Sequence, residues 1–108
     1  MEPWSQIQPD AFWRLVQEGK LEPEQIIDVR EQEEWNYYHL EGSTLMPLSS
    51  FQETWDRIPA DKPVYIVCAH GVRSQAACRY LNEKGYSSLA NVVGGMAAVS
   101  RHDGFQYD

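Results

Sequence analysis

Hydrophobic positions along this chain follow two periods that alternate. Phe12, Leu15 and Val16 recur at helical spacing behind Pro9 and Asp10, which suit a first helical turn, and Gly19 suits the stop. Ile26-Ile27-Asp28-Val29-Arg30 is instead a short apolar run closing in charge, the pattern of a buried strand. Trp4 to Ile7 reads as a first strand or edge segment, Thr44-Leu45-Met46 as another, Val64 to Val67 as the core strand behind Pro63, and Leu89 to Val93 as the last. Between them the pattern predicts a short helix over Glu31 to Tyr38. A second begins at Ser49 or Ser50 as cap and runs through Phe51, Trp55 and Ile58 to Pro59. A third runs from Arg73 to about Lys84, with Ala76, Ala77, Tyr80 and Leu81 inward and Gly85 closing it, and a fourth begins near Met96 after Gly94-Gly95. The polar residues 101–108 predict a loose tail. Alternating strands and helices imply an α/β three-layer sandwich. Its mainly parallel central sheet has about five strands, and right-handed crossovers place helices on both faces.

The chemistry concentrates in Cys68-Ala69-His70-Gly71-Val72-Arg73-Ser74, between the core strand and the alanine-rich helix. A cysteine at the carboxyl end of a parallel strand, just before a helix, sits where open α/β sheets place ligands. Loop N–H groups, the helix N-terminus and Arg73 all favour thiolate, the nucleophilic form. Arg73 opposes the helix dipole in its first turn, so it is expected to answer an anion, either substrate or Asp28. Gly71 lets the backbone turn inward without a Cβ clash. Ser74 is accounted for as a helix cap, and His70 as an exposed loop residue. Cys78 reads as a packed core thiol rather than a resolving partner.

This loop resembles that of the rhodanese sulfurtransferases, C-x-x-G-x-R followed by Ser or Thr, with Cys68, Gly71, Arg73 and Ser74 in those places. A second signature of that family is also present: Asp28-Val29-Arg30, then Glu34-Trp35, then His39-Leu40-Glu41-Gly42-Ser43. Tyr38 stands where the family usually has glycine, which predicts a different backbone conformation in that turn. The resemblance covers about residues 26–99 and implies two-step sulfur transfer through a Cys68 persulfide held by the N–H groups of residues 69–74. It implies a small-molecule donor (thiosulfate or a persulfide), a cyanide or thiol acceptor, a sulfur-relay protein as a further candidate partner, and no cofactor. Asp28 and Arg30 are then supports that brace the loop, Asp28 towards Arg73 and Arg30 towards Glu34 or Glu41. Ala69 occupies a place where some relatives carry a second arginine, so the mouth is less positive and thiosulfate is a weaker donor. The rivals are a cysteine phosphatase or arsenate reductase, whose loops place one more residue between Cys and Arg, and a non-catalytic rhodanese-like binding module, which often lacks the nucleophile.

Bulk properties narrow the field further. The 108 residues suit one domain, and the net charge of −7 argues against nucleic acid and anionic membranes as partners. No apolar run approaches the roughly 20 residues of a membrane span, and Met1-Glu2-Pro3-Trp4 lacks signal-peptide character. A cytoplasmic setting with two free thiols is expected. Three scattered histidines give no zinc-ligand spacing, so no metal is expected.

Overall fold

Five short strands form the sheet: β1 (Ser5–Ile7), β2 (Ile26–Asp28), β3 (Thr44–Leu45), β4 (Val64–Val67) and β5 (Leu89–Val92). The computed structural model describes residues 3–107. Every pairing is parallel and the order is β1-β5-β4-β2-β3. The chain steps from β2 outward to β3, then returns to the other side of β2 as β4. Connections therefore diverge on either side of β2, the arrangement that opens a crevice at the carboxyl ends of the strands. Asp28 and Cys68 stand at those ends.

Among the described residues five α-helices cover the sheet: α1 (Pro9–Gln17), α2 (Gln32–Tyr37), α3 (Phe51–Thr54), α4 (Arg73–Glu83) and α5 (Gly95–His102). The two-residue period of the strands sorts the core into two clusters. Ile27, Val64 and Ile66 pack with Phe51 of α3 and with Ala77, Cys78 and Leu81 of α4. Ile26, Val67 and Val92 pack on the opposite face with Phe12 of α1 and with Met96 and Val99 of α5. The sheet is thus buried on both sides, as an all-parallel sheet requires.

Three expectations change. The helix expected from Ser49 to Pro59 breaks into a 3₁₀ turn (Leu48–Ser50), α3 and a second 3₁₀ turn (Trp55–Arg57), and neither serine caps α3. The Ser50 and Thr54 hydroxyls each donate to the carbonyl three residues back, at 3.5 Å, where the chain tightens into 3₁₀ geometry. On α4 the inward stripe is Ser74, Ala77, Cys78 and Leu81, spaced at helical intervals. Ala76 is exposed, and Tyr80 is half-buried beside Phe51.

The segment expected to be a loose tail contributes Arg101 and His102 to α5 and then folds back. The Phe105 ring stacks on Tyr38 with centroids 4.4 Å apart, and Tyr107 packs against the α1–α5 cluster. Its two aromatic rings supply the burial that its polar residues do not. Asp108 lies outside the described residues.

Candidate active site

Cys68 continues the alternation of β4, so its side chain enters the cluster beneath α4, where it is fully buried. The loop then closes over it. Gly71, at φ +88°, turns the chain so that its N–H donates to Cys68 Sγ at 3.0 Å. A Cβ on Gly71 would stand 2.9 Å from Gly94 N and 3.3 Å from Val92 O, so both conformation and space require glycine. The other side of the loop is fastened to α5. Met96 N–H donates to the Cys68 carbonyl at 2.7 Å and Ala97 N–H to the Ala69 carbonyl at 3.0 Å. Gly95 permits that approach, since a Cβ there would lie 2.6–2.7 Å from the Ala69 carbonyl group. The first N–H groups of α5, left without partners inside the helix, are thereby used to position the loop.

Ser74 does not cap α4; the cap position is Val72, without a side-chain hydrogen bond. The Ser74 hydroxyl instead sits 3.3 Å from Cys68 Sγ, accepting from the thiol, and donates to Asn91 Oδ1. Asn91 Nδ2 donates to Gln6 Oε1 at 2.8 Å and to the Gly71 carbonyl at 3.3 Å. A polar chain thus runs from exposed Gln6 on β1 through buried Asn91 on β5 and buried Ser74 to the sulfur. No buried side-chain polar atom among the described residues lacks a partner, which makes this network rigidifying rather than costly.

Arg73 does answer an anion, but that anion is Glu34 and not Asp28. Its two terminal nitrogens donate to Glu34 Oε1 and Oε2 at 2.9 and 2.7 Å. These bonds hold the Glu34 carboxyl down at about 2, against the opposing effect of burial, with the Glu31 amide adding to them. The Arg73 guanidinium is raised in return. Asp28 pairs with Arg30, two residues on and likewise fully buried, at 2.7 Å. Arg30, expected to meet Glu34 or Glu41, turns its side chain back along β2 to the Asp28 carboxylate and reaches Glu34 only at its backbone carbonyl, at 3.4 Å. Burial opposes its charge, but the hydrogen bonds and charge of Asp28 outweigh that and raise it. Its remaining donors reach the Tyr38 carbonyl at 2.7 Å and the Tyr107 hydroxyl at 3.1 Å. Tyr38 itself is extended (φ −160°, ψ 136°), a conformation open to any residue, so the turn does without the glycine.

Ala69 is buried beneath the loop, whereas His70 is exposed and meets the Tyr107 ring edge-on at 6.3 Å. Val72 is the loop's outermost point, 75% exposed. Cys78 is a core residue whose thiol is pushed up to about 12, chiefly by burial and also by Cys68. Three residues have site roles that the sequence did not assign. Glu34 was read within a signature and as a partner for Arg30 rather than for Arg73, and Asn91 stood as a polar interruption in an apolar strand, a signal of buried hydrogen bonding. Tyr107 gave no signal.

A five-stranded parallel sheet with a cysteine cradled between its central strand and a helix defines an α/β domain with a thiol loop at the carboxyl edge of the sheet. Residues 8–102 match the rhodanese-like domain, and the chain belongs to that family. It is similar to the thiosulfate sulfurtransferase GlpE of Actinobacillus succinogenes, at 30% identity over 91% of this chain and 86% of that one. GlpE of Haemophilus influenzae is 28% identical over 86% of this chain and 85% of its own length. Among solved structures, a rhodanese-like domain protein from Staphylococcus aureus superposes with a TM-score of 0.80. It is 33% identical over 88% of this chain and 90% of that one.

Proposed function

We propose that this protein is a sulfurtransferase that carries sulfane sulfur as a Cys68 persulfide. The Cys68 thiolate attacks the outer sulfur of a donor, the donor's S–S bond breaks, and its electron pair leaves with sulfite or a thiolate. The acceptor, cyanide or a thiol, then attacks the new terminal sulfur, and the S–S electron pair returns to Cys68. The observation that carries this reading is the Gly71 N–H 3.0 Å from Sγ, at the mouth of a helix whose first turn has no side-chain cap. N–H donors fixed in place stabilise a terminal anionic sulfur without reorganising. The four residues Ala69 to Val72 make the cradle tighter than a phosphatase loop, which favours sulfur over a tetrahedral oxyanion.

Donor preference follows from the charges. Arg73 is matched by Glu34, Arg30 is matched by Asp28, and Ala69 adds no cation. The site therefore offers dipoles more than net positive charge, which favours a persulfide over the thiosulfate dianion. Intact-protein mass after mixing with thiosulfate, or with a persulfide, tests the proposal. Wild type is expected to gain one sulfur and release it to cyanide as thiocyanate, while Cys68→Ser gains none. Loading of Cys68→Ser, or no loading of wild type by either donor, would overturn it.

A further inference from the structure

Beside the loop lies a cleft of about 390 Å3, walled by Ala97 and Arg101 of α5 on one side and by Gly104, Phe105, Gln106 and Tyr107 on the other. Its volume falls within the roughly 300–1,000 Å3 of small-ligand sites. It adjoins the sulfur site at both ends of the loop's first half. Ala97 N–H is bonded to the Ala69 carbonyl, one residue beyond the nucleophile, and Tyr107 abuts His70. Arg101 is exposed and makes no ion pair or side-chain hydrogen bond among the described residues. The nearest acid in sequence, Asp103, does not line the cleft; its carboxylate accepts from the Tyr38 hydroxyl at 2.7 Å. His102 stacks instead on Trp13. The cleft thus combines aromatic walls, a guanidinium with no partner among the described residues, and walls that touch Ala69 and His70, the two residues after Cys68.

We infer that this cleft seats the organic portion of a carboxylate-bearing thiol of peptide size, with Arg101 binding the carboxylate and Phe105 and Tyr107 flanking the chain. The inference rests on the persulfide reading of Cys68 and adds the class of acceptor. The seated thiolate attacks the terminal persulfide sulfur; a new S–S bond forms on the acceptor, the bond to Cys68 breaks, and its electron pair returns to Cys68. A chain held at one end by Arg101 reaches the loop as an intramolecular nucleophile would. Cyanide, with no such chain, does not use the cleft.

Sulfur transfer from pre-loaded wild type and Arg101→Gln is measured with glutathione, its diethyl ester and cyanide. Wild type is expected to show a KM for glutathione about fivefold below that for the ester, the scale of one exposed ion pair. Arg101→Gln removes that advantage and leaves the ester and cyanide unchanged, and Arg101→Lys restores part of it. Equal KM values for glutathione and ester in wild type would overturn the inference, as would an Arg101→Gln effect shared by all three acceptors. A binding titration with unreactive S-methylglutathione keeps the two readings separate. Amide shifts at Ala97, Arg101 and Tyr107 that vanish in Arg101→Gln support the cleft even if Cys68 accepts no sulfur. Their absence from wild type refutes the cleft even if Cys68 does load.

Discussion

Glu34→Gln isolates the contact that the fold makes between α2 and the first residue of α4. Glutamine keeps one oxygen for the Glu31 amide, which now donates to Glu34 Oε1 at 3.0 Å. It also presents an NH2 group to one of the two Arg73 nitrogens that the carboxylate had accepted, so a bidentate, charge-assisted pair becomes a single neutral-acceptor bond. The side chains are 29% and 39% exposed, so water screens the pair, and its contribution is taken as about 1–2 kcal/mol rather than the full value for a buried bridge. In the fold the Glu34 carboxyl ionises near 2, below its ordinary 4.5. Between those values the unfolded chain binds the proton more tightly, so the Glu34 contribution is complete above about pH 5 and drains away as pH falls towards 2. Urea unfolding of wild type and Glu34→Gln at pH 7, 5 and 3 should give a difference of about 1–2 kcal/mol at the first two. At pH 3 it should shrink to roughly half or less. A difference that holds constant from pH 7 to pH 3, or one below about 0.3 kcal/mol at pH 7, would refute the pairing as the cause.

Other substitutions probe the remaining supports. Asp28→Asn strands the fully buried Arg30 charge and should destabilise by about 3–5 kcal/mol in denaturant unfolding. Gly95→Ala drives a methyl into the Ala69 carbonyl group. It should cost about 3 kcal/mol in the same assay and reduce sulfur loading, because the loop must lift from α5. Ser74→Ala leaves Asn91 Oδ1 without its hydroxyl donor, so a loss of about 1–3 kcal/mol is expected, and a neutral effect would discount the network.

How much of this was legible in the sequence depended on the range of the interactions involved. Strand–helix alternation is local, so every strand of the sheet was readable, as was the Cys68 loop with its glycine. Pairing is not local. Arg73 and Asp28 were natural partners by charge, but Glu34 lies 39 residues before Arg73 and is brought to it only when α2 packs beside the loop. Asp28 was already committed to Arg30, whose side chain could fold back two residues because both ends of β2 are buried. The α4 stripe was misjudged by a small rotation because alanine at 76 and 77 fits either face, and only contact with β4 selects Ala77 and Cys78. Tyr107 was invisible because an aromatic in a polar tail acquires its role through Arg30 and His70, both far away in sequence.

The loop's backbone polarity is divided between two neighbours, and that division bears on how a terminal sulfur is held. The carbonyls of Cys68 and Ala69 accept from the first N–H groups of α5, and the Gly71 carbonyl accepts from Asn91. With these acceptors tied outward, the Gly71 N–H is directed at the sulfur, and α4 begins immediately beyond with its own uncapped turn. A negative sulfur thus meets the Gly71 N–H, while these three carbonyls are committed elsewhere. The two arginines nearest the site are each matched by a carboxylate, so the stabilising field comes mainly from fixed dipoles. Such a field is short-ranged and suited to one unit of charge on one atom. Salt therefore separates two cases: screening weakens attraction by net charge over distances near 10 Å, but reaches the Gly71 contact far less. Persulfide loading of Cys68 should accordingly vary little between low and physiological ionic strength. A steep fall with salt would instead mean that Arg73 acts as a free cation in the loaded state.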